Sequence, residues 1–167
     1  MGRANSFSKN INENKKVILR PGLLDFLEEM KDIYELILFS NNSIEYIHIL
    51  LKYIENGDKY FRNILSNNQI NFNKDGTIKD LSLLGRNIKR IIIIDKEQNI
   101  FKLNTENENI IYVKPFYGDI INDRNILKNL NDLLKKIRYE IEDNDNIKLS
   151  IKRHKLDIFT KISTQLL

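Results

Sequence analysis

The chain contains the stretch Thr77-Ile-Lys-Asp-Leu-Ser-Leu-Leu-Gly-Arg-Asn-Ile-Lys-Arg-Ile-Ile-Ile-Ile-Asp95, which ends in four consecutive isoleucines and an aspartate. Isoleucine is β-branched, and a short unbroken apolar run of this kind is typical of a strand that a parallel sheet buries on both faces. In an open α/β sheet, ligands bind at the carboxyl ends of such strands, which is where Asp95 lies. The stretch therefore predicts both an α/β fold and a pocket at Asp95.

Strand and helix patterns alternate along the rest of the chain. Short apolar runs bounded by turn residues predict the strands, and apolar residues at helical spacing predict the helices. The predicted strands are residues 16–19, 34–39, 60–65, 91–95, 100–103 and 110–113, with a hairpin over 70–78, and the predicted helices are residues 23–30, 44–54, 123–138 and 147–162. This alternation is typical of an α/β domain whose mainly parallel sheet carries helices on both faces and a β-hairpin insertion.

Composition divides the chain into three expected segments. Residues 1–14 have little apolar content and are expected to be disordered or tag-like. Residues 15–146 are expected to form the α/β domain, and residues 147–167 a basic C-terminal helix. The first ten residues contain Arg3 and Lys9 but no acid, which faintly resembles a transit peptide and is equally typical of a disordered start.

Residue usage excludes several kinds of site. The chain has no cysteine, which excludes disulfides, zinc–thiolate sites and thiol nucleophiles. It has two histidines, His48 and His154, which argues against a histidine-rich metal site. No apolar run approaches the roughly 18 residues of a membrane-spanning helix.

Basic character is confined to the C-terminal segment. Residues 148–167 hold five lysines or arginines and one aspartate, a net charge of +4 that equals the value for the whole chain, so residues 1–147 are neutral. Nucleic-acid binding by this segment is the weakest functional hypothesis, because no aromatic side chain is interleaved for base stacking. The basic residues concerned are Lys148, Lys152, Arg153 and Lys155.

Four segments in order resemble the haloacid-dehalogenase superfamily, in the branch of the carboxy-terminal-domain phosphatases and the NLI-interacting-factor type. They are Arg20-Pro-Gly-Leu-Leu-Asp-Phe-Leu27, Tyr34-Glu-Leu-Ile-Leu-Phe-Ser40, Ile78-Lys-Asp-Leu-Ser-Leu-Leu-Gly-Arg86 and Ile91-Ile-Ile-Ile-Asp95. The resemblance covers residues 17–138. It implies a haloacid-dehalogenase-like fold and, for an active member, a Mg²⁺-dependent protein serine/threonine phosphatase with an aspartate nucleophile.

Within this branch, the residues after Asp95 are most similar to the presequence-receptor subunit of the mitochondrial inner-membrane translocase. The similar segments are Ile100-Phe-Lys-Leu103, residues 107–113 and Lys114-Pro-Phe-Tyr-Gly-Asp119. This likeness implies a role in protein transport at the mitochondrial inner membrane, facing the intermembrane space.

The resemblance assigns roles to three residues. Ser40 and Lys79 match positions that bind phosphoryl oxygens, and Asp95 matches the first acid of the metal-binding pair. Two of them also have plainer interpretations. Ser40 is equally suited to cap the following helix, and Lys79 to be a solvated lysine of the hairpin.

Two departures from the family pattern bear on activity. The catalytic Asp-x-Asp-x-Thr loop is expected upstream of Arg20, but residues 1–19 contain no aspartate. The position after Asp95 is Lys96, whose ammonium cannot coordinate Mg²⁺ and would repel it. In this fold the missing loop follows the central first strand of the sheet. That strand is therefore also expected to be missing, unless it lies in sequence upstream of this chain, and the open slot would expose unpaired backbone groups.

The favoured hypothesis is a non-catalytic protein-binding domain, a pseudophosphatase without a cofactor. The likeness to the presequence receptor implies basic targeting peptides and translocase subunits as partners. The candidate contacts are Tyr117, Asp119 and Asp123, with the hairpin over 70–78 as a second surface. The acids at 119 and 123 are also suited to cap the following helix, and this interpretation is favoured.

The alternative is a divergent or truncated phosphatase whose catalytic loop lies in upstream sequence. Ser40, Lys79 and Asp95 would then be active-site residues, Mg²⁺ the cofactor, and the nucleus or cytoplasm the compartment.

Overall fold

The computed structural model describes residues 8–12, 15–55, 57–73, 76–96 and 109–141, with the single positions 147, 150, 151 and 154. The chain divides into two compact units. The first unit comprises Met1–Gln69 and Phe116–Asn131, and the second comprises Ile70–Pro115 and Asp132–Leu167. Within the described residues, no helix has the length and apolar character needed to cross a membrane.

The first unit opens with an antiparallel hairpin. Strand β1 (Ser8–Asn12) pairs with strand β2 (Lys15–Ile18). The prediction of disorder for residues 1–14 is therefore wrong for β1, while residues 1–7, 13 and 14 lie outside the described residues. Composition missed this strand because pairing satisfies backbone N–H and C=O groups whatever the side chains are.

A β-α-β unit follows. Helix α1 (Leu23–Lys31) buries Leu27 and Met30. Strand β3 (Ile37–Phe39) then runs parallel to strand β4 (Asn63–Leu65), and helix α2 (Ile44–Ile54) connects them. Two parallel strands need a long crossover connection, usually a helix, because a tight turn reverses the chain and joins antiparallel strands.

The second unit has a hairpin and another parallel pair. Strands β5 (Ile70–Asn73) and β6 (Gly76–Lys79) form the predicted antiparallel hairpin. Strands β7 (Ile93–Asp95) and β8 (Ile110–Tyr112) are parallel, after two 3₁₀ turns that lie between β6 and β7. The predicted strand over 100–103 lies outside the described residues.

The β3–α2–β4 unit and the second parallel pair, β7 and β8, confirm the predicted α/β class. Each parallel sheet has two strands among the described residues. Burial of the isoleucine run on both faces is wrong for β7, because Ile94 is 41% exposed whereas Ile110 and Ile111 of β8 are buried. The apolar pattern predicted the strand correctly but not the burial of its side chains, because burial depends on which elements pack against the strand.

Two helices replace the single one predicted over 123–138. Helix α3 (Ile120–Asp123) is one short turn, and helix α4 (Ile126–Ile141) continues from the first unit into the second. The described positions of the predicted C-terminal helix are helical, and Ile147 and Ile151 are buried. The rest of that helix lies outside the described residues, and the predicted segment boundaries stay predictions.

Candidate functional site

The ends of β6 and β7 bring two of the predicted site residues together. The Nζ of Lys79 lies 2.8 Å from Oδ2 of Asp95 and donates a hydrogen bond to it. The side chains are 7% and 14% exposed. The interpretation of Lys79 as a solvated hairpin lysine is therefore wrong, and Asp95 is its partner in a mostly buried ion pair.

This ion pair changes what the position can bind. A buried ammonium needs an anionic partner to offset its lost hydration, and here the Asp95 carboxylate supplies one. A phosphate group would have to compete with that carboxylate for Lys79. Mg²⁺ would likewise have to compete with Lys79 for Asp95.

Metal ligands are scarce around this pair. The described part of the chain contains no group of three or more aspartate, glutamate, histidine or cysteine side chains that is able to hold a metal ion. Mg²⁺ requires six ligands in near-octahedral geometry, several of them water, and is usually anchored by one or two carboxylates and a substrate phosphate. Lys96, which follows Asp95, is exposed and adds positive charge rather than a ligand.

Ser40 lies in the first unit, directly after β3. Its hydroxyl accepts hydrogen bonds from the backbone N of Asn42 at 3.2 Å and from the Asn42 Nδ2 at 3.1 Å. The cap of α2 is Ser43, whose hydroxyl accepts from the backbone N of Tyr46 at 3.4 Å. The cap interpretation is therefore wrong for Ser40 and holds for the serine three residues later.

Asp123 is buried and pairs with the first residue of the Arg-Pro-Gly segment. Arg20 Nε lies 2.7 Å from Oδ1 of Asp123, and Arg20 Nη2 donates to Oδ2 at 3.2 Å. The guanidinium also lies over the ring of Phe116, with 5.6 Å from Cζ to the ring centroid. Asp123 thus stabilises the first unit and does not present its carboxylate at the surface.

Asp119 and Tyr117, unlike Asp123, are exposed to solvent. Asp119 is exposed and caps α3, because its Oδ1 accepts from the backbone N of Asn122 at 3.1 Å and its Oδ2 accepts from the Asn122 Nδ2 at 2.7 Å. The helix-cap interpretation is confirmed for Asp119. The side chain of Tyr117 is 87% exposed.

A further polar cluster in the second unit was not predicted. Glu140 near the end of α4 accepts a hydrogen bond from the hydroxyl of Ser150 at 2.5 Å, and its other oxygen lies 2.8 Å from Nε2 of His154. Positions 147, 150, 151 and 154 have helical spacing, which places Ser150 and His154 on the same face as the buried isoleucines. Ser150 and His154 each follow a buried isoleucine by three residues, and this helical spacing is the signal that would have found them.

The sequence matches the model of the NLI interacting factor-like phosphatase family over residues 3–145. A Kluyveromyces lactis protein named mitochondrial import inner membrane translocase subunit TIM50 is 36% identical over 59% of this chain and 20% of its own length. A protein of the same name from Phytophthora infestans is 31% identical over 72% of this chain and 28% of its own length. A Dictyostelium discoideum protein named probable C-terminal domain small phosphatase is 28% identical over 78% of this chain and 43% of its own length. The chain thus spans less than half the length of these relatives.

Two solved structures share the fold. The structure of Fcp1, an RNA polymerase II CTD phosphatase, superposes with a TM-score of 0.51 at 20% identity and covers 84% of this chain and 38% of its own. A fission yeast Fcp1 bound to beryllium fluoride superposes with a TM-score of 0.50 at 20% identity and covers 95% of this chain and 52% of its own. At this identity the likeness supports the α/β fold alone.

Proposed function

Since the chain belongs to the NLI interacting factor-like phosphatase family, we propose that it is a non-catalytic member that binds proteins in mitochondrial import. The observation that carries this proposal is the buried Lys79–Asp95 ion pair. Two side chains that an active relative would use for phosphate and metal here satisfy each other. Asp95, moreover, is followed by Lys96, where the resemblance implies a second metal ligand.

The relatives named as translocase subunits support the import role. We infer that the ligands are basic amphipathic targeting peptides, with translocase subunits as further partners, at the inner membrane facing the intermembrane space. The neutral charge of residues 1–147 is compatible with a cationic ligand, whereas a strongly basic body would repel it. No cofactor is needed for binding of this kind.

A phosphatase assay tests the non-catalytic proposal. The purified chain should not hydrolyse a phosphoserine peptide or an aryl phosphate in the presence of Mg²⁺. The matched control is Lys79→Ala, which removes the buried ammonium but leaves any contaminating phosphatase unchanged. Turnover by the wild type that clearly exceeds that of Lys79→Ala would show that the pocket is catalytic.

A phosphatase is the second candidate function, and the family match over residues 3–145 favours it. Two relatives from Dictyostelium discoideum are named CTD small phosphatase-like protein 2 and probable C-terminal domain small phosphatase. In this case the nucleophile would come from sequence preceding the chain, and the Lys79–Asp95 pair would open when substrate and metal bind.

Metal binding separates the two candidates further. We expect millimolar Mg²⁺ to leave the melting temperature unchanged, because Asp95 is paired with Lys79 and is followed by Lys96. At a Mg²⁺ concentration 100 times the Kd, a specific site would raise the free energy of unfolding by about 2.7 kcal/mol, which gives a readily measured rise in melting temperature. A rise in melting temperature with Mg²⁺ that Asp95→Asn abolishes would favour the phosphatase.

A further inference from the structure

An exposed apolar surface lies around α3 in the first unit. Tyr117 is 87% exposed, Ile121 78% and Ile120 42%. Ile18, at the end of β2, is also 42% exposed. It extends the same surface, because its Cδ1 lies 3.5 Å from where a side chain on Gly118 would begin. We call these four side chains, Ile18, Tyr117, Ile120 and Ile121, the α3 patch.

The backbone that carries the α3 patch is held at both ends of the helix. Gly118 has a φ of 94°, in the left-handed region that favours glycine. Asp119 caps the helix by accepting a hydrogen bond from the backbone N of Asn122, and Asp123 at the other end pairs with Arg20. Exposed apolar side chains clustered on a fixed backbone are typical of an interaction surface rather than of scattered surface residues.

The exposed charges next to α3 in the sequence have both signs. Lys114 and Arg124 are basic, Asp119 between them is acidic, and all three are exposed. A strongly charged ligand of either sign would be attracted by some of these groups and repelled by others, so its charge would contribute little to binding here. The surface instead favours a partner that carries both signs of charge around an apolar centre.

A second copy of this chain carries that pattern at the required spacing. Asp119 precedes α3 and Arg124 follows it, about 7.5 Å apart along the helix axis. Arg124 has helical backbone angles, φ −54° and ψ −27°, and follows Ile120 by four residues and Ile121 by three, so these side chains are neighbours on the helix surface. When two α3 helices pack antiparallel about a two-fold axis, Asp119 of each copy meets Arg124 of the other. A parallel arrangement would oppose like charges.

We propose that the α3 patch joins two copies of this chain in a symmetric dimer. The α3 helices run antiparallel, the apolar side chains meet at the centre, and two Asp119–Arg124 pairs flank them. This inference goes beyond the proposed function and does not depend on it. A stable interface uses about 20–30 residues on each copy, many more than the α3 patch contains. The dimer is therefore weak, with a Kd on the order of 100 µM.

The apolar contribution is tested by sedimentation equilibrium of the purified chain over concentrations from about 10 µM to about 1 mM, which bracket the expected Kd. Tyr117→Ala and Ile121→Ser should each weaken dimerisation at least about tenfold, because a symmetric dimer buries each side chain twice. Both residues are largely exposed, so the substitutions leave the interior intact. Tyr139→Ala is the matched control, because Tyr139 on α4 is 82% exposed and is not part of the α3 patch. It should leave the Kd unchanged.

The antiparallel arrangement is tested by reversing one charge at a time. Asp119→Arg leaves a base at both ends of α3, and Arg124→Asp leaves an acid at both ends. Each variant alone opposes like charges in the dimer, so its dimerisation should weaken about tenfold at low salt and by less at high salt. An equimolar mixture of the two variants should recover dimerisation of about wild-type strength, because both charge pairs then form between unlike copies. Loss of the helix cap in Asp119→Arg cannot explain that recovery, since the mixture retains the substitution.

The outcomes separate this inference from the proposed function. A wild type that stays monomeric at the highest concentration would overturn the inference, as would a dimer that Tyr117→Ala and Ile121→Ser leave intact. Single charge variants that dissociate without recovery in the mixture would overturn the antiparallel arrangement. A basic targeting peptide that binds the monomeric Ile121→Ser variant as tightly as the wild type would support the import function independently of the dimer. Failure of every form to bind that peptide would remove the import function and leave the dimer standing.

Discussion

At the scale of single residues, two aspartates at either end of α3 have opposite environments. Asp119 is exposed and caps the helix, whereas Asp123 is buried against Arg20. Removing one partner of a buried ion pair leaves the other charge without compensation, at a cost of about 3 kcal/mol. We therefore expect Asp123→Asn to lower the free energy of unfolding by about that amount. Asp119→Asn should change it by less than about 0.5 kcal/mol, because the cap is retained.

Urea denaturation followed by circular dichroism measures this difference directly. The two variants make the same chemical change four residues apart, so each serves as the control for the other. Equal unfolding midpoints would mean that the Arg20–Asp123 pair contributes little to stability, and the assignment of Asp123 to the interior would have to be abandoned.

Sequence reasoning found some of these residues and missed others for identifiable reasons. Asp95 was found because it ends a predicted strand, and such ends hold the functional groups of α/β proteins. Lys79 was found because it matches a phosphate-binding position in the family resemblance. The partner of Asp123 was missed because Arg20 lies 103 residues away, and no periodic pattern connects them. The role of Ser40 was left open between two interpretations, since a hydroxyl after a strand is suited to both.

At the scale of elements, the start of α2 distinguishes two neighbouring serines. Ser43 accepts a hydrogen bond from the backbone N of Tyr46. Among the described residues, the hydrogen bonds shown for the Ser40 hydroxyl are to Asn42, within the same turn. Loss of a helix cap costs about 1 kcal/mol. We expect Ser43→Ala to lower the free energy of unfolding by about this amount, and Ser40→Ala by less than about 0.5 kcal/mol.

Thermal and urea unfolding of the two alanine variants provides the measurement. Both substitutions remove one hydroxyl and leave the backbone unchanged, so their difference isolates the cap. If Ser40→Ala proved the more destabilising, the helix would begin earlier than residue 44, and Ser40 would be its cap after all.

The elements themselves were largely predictable from local patterns. The hairpin β5–β6 was predicted from turn residues that included Gly76, and β8 from its apolar run, because both signals are local. Gly76 itself is the first residue of β6 and pairs with Asn73, so the predicted turn was one residue too late. Strands β3 and β4 are shorter than predicted, since an apolar run marks the extent of burial rather than of pairing. The exposure of Ile94 was not predictable, because it depends on which strand or helix lies beside β7.

At the scale of the whole molecule, the C-terminal segment holds the excess positive charge of the chain and also contributes buried side chains. Its net charge is that of the entire chain, yet Ile147 and Ile151 are buried and Glu140 contacts Ser150 and His154. Deleting residues 148–167 would therefore remove buried contacts as well as charge. The influence of the charge on ligand binding is better isolated by substitution than by truncation.

A variant with glutamine at Lys148, Lys152, Arg153 and Lys155 removes the excess positive charge while keeping Ile151, Ser150 and His154. Residues 1–147, which have no net charge, should attract a basic targeting peptide equally in the variant and in the wild type. The C-terminal segment of the variant should no longer repel the peptide. We expect the variant to bind the peptide as tightly as the wild type, or up to about threefold more tightly. The gain should be confined to low salt, because exposed charges are screened within about 8 Å at physiological ionic strength.

Fluorescence titration at low and high salt measures this effect, and glutamine substitution of three lysines on α4 provides a control of similar charge change. The control residues are Lys128, Lys135 and Lys136, all of which are exposed. Weaker peptide binding by the C-terminal variant at both salt concentrations would place the ligand on the basic segment itself. An acidic ligand such as RNA, bound by the wild type and lost in the variant, would have the same meaning. Either result would contradict an import receptor that recognises basic peptides through its neutral body, and would favour the phosphatase candidate.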